Sequence, residues 1–216
     1  MALNINGTTG ISGVDGSVSA PALTGTDSNT GITFPAADTI KFSTGGVERM
    51  SITNSGISGI SAGITMADQW RITSELSVTS FDYITANWER NDSTGYGGIG
   101  TGMTESSGEF SFPSTGVYLV RIVINWYASG GGVNYNRVGI YTTTDNSSYS
   151  ERAFTWSGVE SGNQYNNMLA EILFDVTDVS LRKVKFQLGG SNTRPRVRGE
   201  TNYNASYATF IRLGDT

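Results

Sequence analysis

The stretch GEFSFPSTGVYLVRIVINWY, from Gly108 to Tyr127, decides the fold of this chain. Pro113-Ser114-Thr115-Gly116 supplies turn chemistry between two runs of alternating residues, a pattern typical of a β-hairpin. One face of the second run is wholly apolar and consists of Tyr118, Val120, Ile122, Ile124 and Trp126. The opposite face is also largely apolar, since only Arg121 and Asn125 interrupt Val117, Leu119 and Val123.

A strand with two apolar faces needs an apolar surface to pack against on each face. One face fits the core of a two-sheet sandwich, and the other is most simply covered by a second copy of the same chain. The stretch MLAEILFDV, from Met168 to Val176, shows the same habit, because Leu169 and Leu173 lie opposite its main apolar face. We therefore predict a subunit interface formed by Val117, Leu119, Val123, Leu169 and Leu173.

The chain from Trp70 onward is a series of short alternating runs separated by turn residues such as Asn91-Asp92-Ser93. No window keeps a helical apolar period. The predicted strands are Trp70–Val78, Ile84–Glu89, Glu109–Phe112, Val117–Tyr127, Arg137–Thr142, Arg152–Trp156, Met168–Val176, Lys183–Leu188 and Ser206–Leu213. This spacing predicts an all-β sandwich or barrel, in which Arg71 belongs to the polar face of its strand.

The segment from Met1 to Gln69 is rich in Gly, Ser, Thr and Asn and has only isolated apolar residues. It has too little apolar area to close a core alone, because ordering costs about 1–2 kcal/mol per residue. It is either a flexible linker or an extended β region that completes its core against identical chains. The regular apolar spacing favours the second, an extended, intertwined β shaft. Within it, Phe42–Ile52 predicts a hairpin with a Gly45-Gly46 turn.

The composition narrows the possible functions. The net charge is −5, which argues against a general nucleic-acid surface, and no apolar run is long enough for membrane insertion. The chain has neither cysteine nor histidine, so thiolate metal sites and Ser-His-Asp or Cys-His catalysis are excluded. We predict neither a cofactor nor a metal site, and a protein that is not an enzyme.

Three local patterns suggest chemistry. GYGGIG, Gly95 to Gly100, matches a phosphate-loop spacing but lacks the flanking strand and helix, so a glycine-rich turn is favoured. Asp145 and Asn146 fit an Asx-type turn better than a calcium site. Carboxylates that could serve glycoside hydrolysis are present, but nothing in the sequence indicates that any two converge. They are Glu160, Glu171, Asp175 and Asp178.

Three segments carry a family resemblance: GEFSFPSTGVYLVRI, Leu169–Leu188 and ASYATFIRLG at Ala205–Gly214. They resemble the globular heads of complement-type and tumour-necrosis-factor-like jelly rolls over residues 70–216. The resemblance implies a sandwich that assembles as a homotrimer. The region of residues 1–69, with its ERMSI motif, resembles the connecting regions of bacteriophage tail fibres, especially those of marine phages. In such fibres the N-terminus attaches to the virion and a C-terminal knob contacts the host.

These resemblances imply a virion structural protein, a trimeric tail fibre with an N-terminal attachment and shaft region and a C-terminal jelly-roll knob. The expected partners are two further copies of the chain, other virion proteins at the N-terminus, and a host-surface glycan or protein. A head fibre or capsid-decorating protein, and a glycan-degrading tail spike enzyme, are the alternatives.

Receptor contacts are expected in loops that combine aromatic and polar residues, because sugars present both apolar C–H faces and hydroxyls. Tyr135, Tyr165 and Tyr203 lie in or beside Gly/Asn/Ser-rich stretches, and Arg194 and Arg196 share one face of an extended segment. We predict these residues as receptor-binding candidates at the exposed tip. The alternative is that some of these tyrosines cap the core or the trimer seam.

Overall fold

The computed structural model describes residues 4–6, 10–12, 15–59, 63–128, 130–159, 164–191 and 195–216. Throughout these ranges the regular structure is β, so the predicted all-β class is confirmed. None of the described residues forms a helix long and apolar enough to cross a membrane. The chain divides into two compact units, Met1–Ala62 and Gly63–Thr216.

The N-terminal unit is a set of short antiparallel hairpins. Its strands are β1 Asn4–Asn6, β2 Gly10–Ser12, β3 Gly16–Ser17, β4 Ala20–Pro21, β5 Leu23–Thr24, β6 Gly31–Ala36, β7 Thr39–Thr44, β8 Val47–Thr53 and β9 Gly56–Ser58. Strands β5 to β9 pair in sequence order as one sheet. The predicted hairpin is confirmed: β7 and β8 meet at Gly45 and Gly46, whose φ angles of 61° and 73° suit a two-residue turn.

The described part of the N-terminal unit buries little apolar surface. Apart from Pro21, its buried residues are polar: Thr33, Ser43 and Ser51. Its exposed large apolar residues are Leu23, Phe34, Val47 and Ile57. This single chain therefore encloses no large apolar side chain here, in line with the scarcity of apolar residues in its sequence.

The C-terminal unit is a sandwich of two antiparallel sheets. Its strands are β10 Met66–Ile72, β11 Leu76–Ser77, β12 Asp82–Tyr83, β13 Trp88–Arg90, β14 Thr104–Ser106, β15 Glu109–Ser111, β16 Gly116–Ala128, β17 Val133–Thr143, β18 Tyr149–Val159, β19 Tyr165–Val176, β20 Lys183–Gly190, β21 Pro195–Val197 and β22 Tyr207–Gly214. In the first sheet, β16 lies between β19 on one side and β21 and β22 on the other, followed by β10 and β13. In the second sheet, the order β14-β15-β20-β17-β18 places β17 between β20 and β18.

The core lies between these two sheets and is strongly aromatic. Phe110 of β15 contacts Phe186 of β20 and Phe210 of β22, with ring centroids 5.6 and 5.1 Å apart, and all three rings are fully buried. The predicted apolar face of β16 is entirely in this core, since Tyr118, Val120, Ile122, Ile124 and Trp126 are 0% exposed. The opening hairpin thus places one face of β16 at the centre of the sandwich.

The predicted boundary between the N-terminal region and the knob shifts toward the N-terminus. Residues 66–69, assigned from sequence to region 1–69, belong to β10 and pair with β22, from Met66 opposite Arg212 to Gln69 opposite Thr209. Composition does not reveal this pairing because the partner strand is at the far end of the chain.

Two strand predictions are wrong in detail, and the burial of one residue differs from expectation. Trp70–Val78 is not one strand: β10 ends at Ile72, and β11 covers only Leu76–Ser77. Ile84–Glu89 is not one strand: β12 ends at Tyr83 and β13 begins at Trp88, with Asn87 between them at a φ of 65°. The burial of Arg71 is the other correction. It was expected on the solvent-exposed polar face of its strand, but it is 1% exposed. Its guanidinium donates to Glu89 at 2.7 Å and Asp92 at 2.5 Å, because the 89–93 segment covers it.

Candidate interaction surfaces

The outward face of the first sheet carries an apolar stripe across β22, β16 and β19. Leu119 lies opposite Leu173, and Val123 lies opposite Leu169, in the antiparallel register of β16 and β19. Leu173 is 66% exposed and Leu169 is 47% exposed, while the outward residues of β16 are half-buried. We call this surface the outward stripe; it consists of Val117, Leu119, Val123, Leu169, Leu173, Tyr207 and Ile211. It contains every residue predicted for the subunit interface.

Two cross-strand pairs of polar residues, which we call polar rungs, interrupt the outward stripe. The two side chains of each rung are hydrogen-bonded to each other. Arg121 of β16 donates from Nε and Nη2 to Glu171 Oε2 of β19, at 2.9 and 2.7 Å. Asn125 donates its side-chain amide to Asn167 Oδ1 at 2.6 Å. Because charge is matched by charge and amide by amide, the stripe presents no uncompensated charge at these rungs.

Tyr165 and Arg196 flank Tyr127 at one end of the outward stripe. The Tyr165 ring packs on Tyr127, its partner across β16 and β19, with centroids 5.6 Å apart. The Tyr127 hydroxyl donates to Glu75, and Arg196 Nε lies 3.3 Å from Glu75 Oε1. The hydrogen bond to Glu75, together with burial, raises the pKa of Tyr127 above its ordinary value of 10. Arg196, predicted as a receptor contact, is therefore already engaged in an ion pair.

Tyr203 lies beside the outward stripe, in the connection between β21 and β22. Its hydroxyl accepts a hydrogen bond from Arg198 Nη2 at 2.8 Å, and the guanidinium lies 5.8 Å from the ring centroid. Both residues line an open depression of about 350 Å³. The other lining residues are Val123, Asn125, Asn167, Asn204, Ala205 and Tyr207.

The structure divides the predicted receptor residues between two faces. Tyr165, Tyr203 and Arg196 are on the side of the first sheet, whereas Tyr135 is on β17 of the second sheet. Arg194 lies outside the described residues. Tyr135 is also within a strand rather than in a connection, because β17 begins before the residues predicted from sequence. Contact of these residues with a receptor stays a prediction.

The outward face of the second sheet carries a cluster of rings around Arg137, which we call the aromatic patch: Phe81, Tyr135, Phe154 and Trp156. The Trp156 ring is 5.0 Å from Tyr135, 6.1 Å from Phe81 and 6.2 Å from Phe154, always edge to face. The Arg137 guanidinium lies 5.0 to 5.6 Å from the rings of Phe154, Trp156 and Phe81. These contacts combine edge-to-face packing with cation–π attraction.

Two glycines make room for the aromatic patch. Gly139 lies opposite Phe154 in the β17–β18 register, and a Cβ there would be 3.1 Å from Arg137 Nη1. Gly189 of β20 lies opposite Arg137, and a Cβ on it would be 2.5 Å from Phe81 Cε1. Without side chains at these outward positions, the guanidinium and the Phe81 ring can lie directly on the sheet.

Sequence reasoning missed most of this patch. Phe154 and Trp156 are two residues apart in a strand, so the sequence alone indicated that their side chains share one face. Arg137, Phe81 and Gly189 join them only through the pairing of β17 with β18 and β20, and through the β11–β12 connection that carries Phe81. No sequence spacing encodes those contacts.

A cluster of charges lies on β15, β18 and β20 of the second sheet. Glu109 accepts hydrogen bonds from Lys183 at 2.6 Å and Tyr149 at 2.5 Å, and Lys185 lies 3.3 Å away. Burial opposes ionisation of Glu109, but these three donors outweigh it and hold the pKa of the carboxyl below its ordinary value of 4.5. Burial and the bond to Glu109 raise the pKa of Tyr149.

The remaining carboxylates noted from sequence have structural partners or lie apart. Asp178 closes a turn by accepting from Ser180 N at 2.8 Å, and Glu171 is paired with Arg121. Asp175 is exposed at the end of β19, and Glu160 lies outside the described residues. Among the described residues, no group of three or more acidic side chains is placed to hold a metal ion.

Two turn predictions are confirmed. Asp145 Oδ1 accepts from Ser147 N at 2.9 Å and from Ser148 N at 2.8 Å, which is an Asx-type turn. The glycine-rich segment from Gly95 to Gly100 is a loop tied to β10 by a bridge between Ile99 and Ala67. These arrangements account for both motifs by backbone geometry.

No family model and no curated protein matches the sequence. Solved structures do match the fold. "Structure of Eiger TNF from S. frugiperda" aligns with a TM-score of 0.52 and 13% identity, covering 72% of this chain and 96% of that chain. "Crystal structure of murine APRIL at pH 5.0" aligns with a TM-score of 0.50 and 9% identity, covering 68% and 98%. At such identity the likeness concerns the fold alone, and it shows that this chain contains a jelly roll like those of the tumour-necrosis-factor ligands.

Proposed function

We propose that the protein is a trimeric virion appendage, a phage tail fibre whose C-terminal unit is a non-enzymatic knob that binds a host-surface glycan or protein. The outward stripe is the observation that carries this proposal. Soluble monomers rarely expose contiguous apolar surface of this kind, whereas subunit interfaces require it. Leu119 opposite Leu173 and Val123 opposite Leu169 supply its centre.

The N-terminal unit supports the same proposal independently. Its described residues enclose no large apolar side chain, and Phe34, Val47 and Ile57 face outward. Neighbouring copies held side by side would cover these residues, as in other architectures whose units share a core. The assignment to a trimer rests on the resemblance of the knob to jelly rolls that assemble as trimers, and the assignment to a virion rests on the resemblance of residues 1–69 to tail-fibre regions.

The knob is proposed as a binding module rather than an enzyme. Glu171 and Asp178, two of the carboxylates considered for glycoside hydrolysis, are engaged with Arg121 and in a turn. A glycosidase instead needs two carboxyl groups flanking one scissile bond. Exposed aromatic rings on both faces of the sandwich suit recognition of a surface ligand.

Two measurements test this proposal. Sedimentation equilibrium should give three chains per particle, and antibody labelling of intact virions should mark the tail. Labelling of the head would support the head-fibre or capsid-decorating alternative, and turnover of polysaccharide by the purified protein would support the tail-spike enzyme. A wild-type protein that stays monomeric at micromolar concentration would overturn the trimer.

The tyrosines predicted from sequence have their own test in host adsorption. Replacing Tyr135, Tyr165 and Tyr203 by alanine should weaken attachment while leaving thermal stability nearly unchanged. If adsorption persists with all three replaced, their predicted role is wrong, although the proposed assembly would still stand.

A further inference from the structure

We propose that the aromatic patch is a saccharide-binding site, which takes one or two pyranose rings of a neutral glycan on Trp156, Phe154 and Phe81. This deepens the proposed function and rests on it, since it gives the knob's ligand a chemical class and a place. The site is on the second sheet, away from the outward stripe. Its rings are exposed although they are large: 45% for Phe81, 54% for Phe154 and 47% for Trp156.

The rings are held in place before any ligand arrives. Arg137 is 5% exposed and lies beneath three of them, and Trp156 packs edge to face on its neighbours. The guanidinium is fixed in turn by an ion pair with Glu151 and by a hydrogen bond to Gln187 Oε1 at 3.1 Å. A rigid aromatic surface loses little conformational entropy on binding, which favours a ligand that makes few contacts.

The charges of the aromatic patch favour a neutral ligand. Arg137 is buried and already paired with Glu151, so it offers no free positive charge to an anion. Gln187 Oε1 also accepts from the Tyr141 hydroxyl at 2.9 Å, which fixes the orientation of its amide. No acceptor for the Gln187 amide nitrogen is found in the described part of the chain, so this group can donate to a ligand hydroxyl. Rings beside a fixed amide match the apolar and polar faces of a sugar.

The size of the aromatic patch separates a sugar from a protein partner. An aromatic side chain buries about 150–250 Å² when fully covered, so three half-exposed rings offer roughly 250–350 Å². A stable protein interface needs about 800 Å² on each partner. The patch is therefore large enough for one or two sugar rings and too small to hold a protein alone.

Trp156 also provides the readout. It is 47% exposed, whereas Trp126 is 0% exposed and the other two tryptophans are half-buried. The full-length protein is titrated with glucose, galactose, mannose and N-acetylglucosamine and with their homodisaccharides and homotrisaccharides. At least one of these sugars should shift tryptophan emission to the blue and protect it from acrylamide quenching.

Variants then locate the binding, with affinities measured by calorimetry because one variant lacks the fluorophore. Trp156→Ala and Phe154→Ala should each weaken binding at least tenfold. Gly189→Ala, whose Cβ would lie 2.5 Å from Phe81 Cε1 and so displace that ring, should also weaken it. Tyr96→Ala is the matched control, because Tyr96 is a 44% exposed aromatic residue in the Gly95–Gly100 loop, which is tied to β10 of the first sheet, and it should leave affinity unchanged.

Several results would overturn the site. They are a panel in which no sugar binds, binding that survives Trp156→Ala, and equal weakening by Tyr96→Ala. A change in sedimentation caused by Trp156→Ala would show instead that the patch is a contact between copies. These failures are distinct from failure of the proposed function: a trimer on the tail that ignores all sugars contradicts only the site, and a monomeric wild type contradicts only the assembly.

Discussion

Arg121 of β16 and Glu171 of β19 form an ion pair in the middle of an apolar surface. The pair is the rung between Leu119–Leu173 and Val123–Leu169, and its side chains are 41% and 45% exposed in the single chain. An exposed pair of this kind contributes about 0–1 kcal/mol, whereas loss of one partner from a buried pair costs about 3–5 kcal/mol. The loss of stability on breaking the Arg121–Glu171 pair therefore indicates whether the outward stripe is buried in an interface.

We expect Glu171→Leu to lower the melting temperature of the assembled protein strongly, because it leaves the Arg121 charge unpaired in an interface. The double variant Arg121→Met with Glu171→Leu should recover most of the loss, since it removes both charges. Thermal unfolding at fixed protein concentration measures both effects. If the free energy of unfolding of Glu171→Leu differs from that of wild type by no more than about 1 kcal/mol, the pair faces solvent.

Leu119→Asp should break the assembly. A carboxylate placed between Leu173 and Ile211 would lose its water on assembly, at a cost of several kcal/mol for each subunit. Analytical ultracentrifugation should show dissociation or aggregation. Val179→Asp, at a 38% exposed site in the turn between β19 and β20, is the matched control and should sediment like wild type. An unchanged Leu119→Asp particle would place the interface elsewhere.

The N-terminal unit should not fold alone as a monomer. A fragment of residues 1–62 has no buried large apolar residue among its described positions, so little hydrophobic burial offsets the entropy of ordering. Circular dichroism and amide spectra should show a largely unfolded chain. The fragment of residues 63–216, which contains the whole aromatic core, is the comparison and should melt cooperatively. A cooperatively melting monomer of the first fragment would contradict this expectation.

Glu109 should make the knob sensitive to acid. Its pKa is lower in the folded chain than the ordinary value of 4.5, so the stabilisation that it contributes is present above that pH and is lost as the pH falls through the folded-state pKa. Glu109→Gln should lower the free energy of unfolding at neutral pH by on the order of 1–3 kcal/mol. Urea denaturation from neutral to strongly acidic pH should show the free energies of unfolding of the two proteins converging below pH 4.5.

The control for this pH dependence is Glu200→Gln, since Glu200 has no ion pair among the described residues. Its stability difference from wild type at neutral pH should be small. A Glu109→Gln difference that stays constant down to strongly acidic pH would show that the Lys183 and Tyr149 contacts do not depend on the charge of Glu109.

The sequence predicted the elements whose signals are local. β16 follows from strict alternation after a Pro113–Gly116 turn, and both of its faces were assigned correctly as core and outward surface. The hairpin at Gly45-Gly46 and the turn at Asp145 were likewise predictable, because a few neighbouring residues determine them. The N-terminal limit of β10 could not be predicted, because only the pairing of β10 with β22 reveals it.

Burial and clustering were harder to predict than strands. Arg71 looked solvent-facing because its partners are in the 89–93 segment, whose path over the sheet no alternation specifies. The aromatic patch escaped for the same reason. Its members come from the β11–β12 connection, β17 and β18, and only the strand register brings Phe81, Arg137 and Trp156 together.

The alternation of β16 also limits how this strand can change during evolution. Substitutions that keep the size and polarity of one face leave the other face intact, so the core and the outward stripe can vary separately. Deletion of a single residue inside the strand has a different effect, because it reverses every later side chain at once. Arg121 or Asn125 would then enter the aromatic core while Trp126 moved to the surface. The length of β16 is therefore under tighter constraint than its composition.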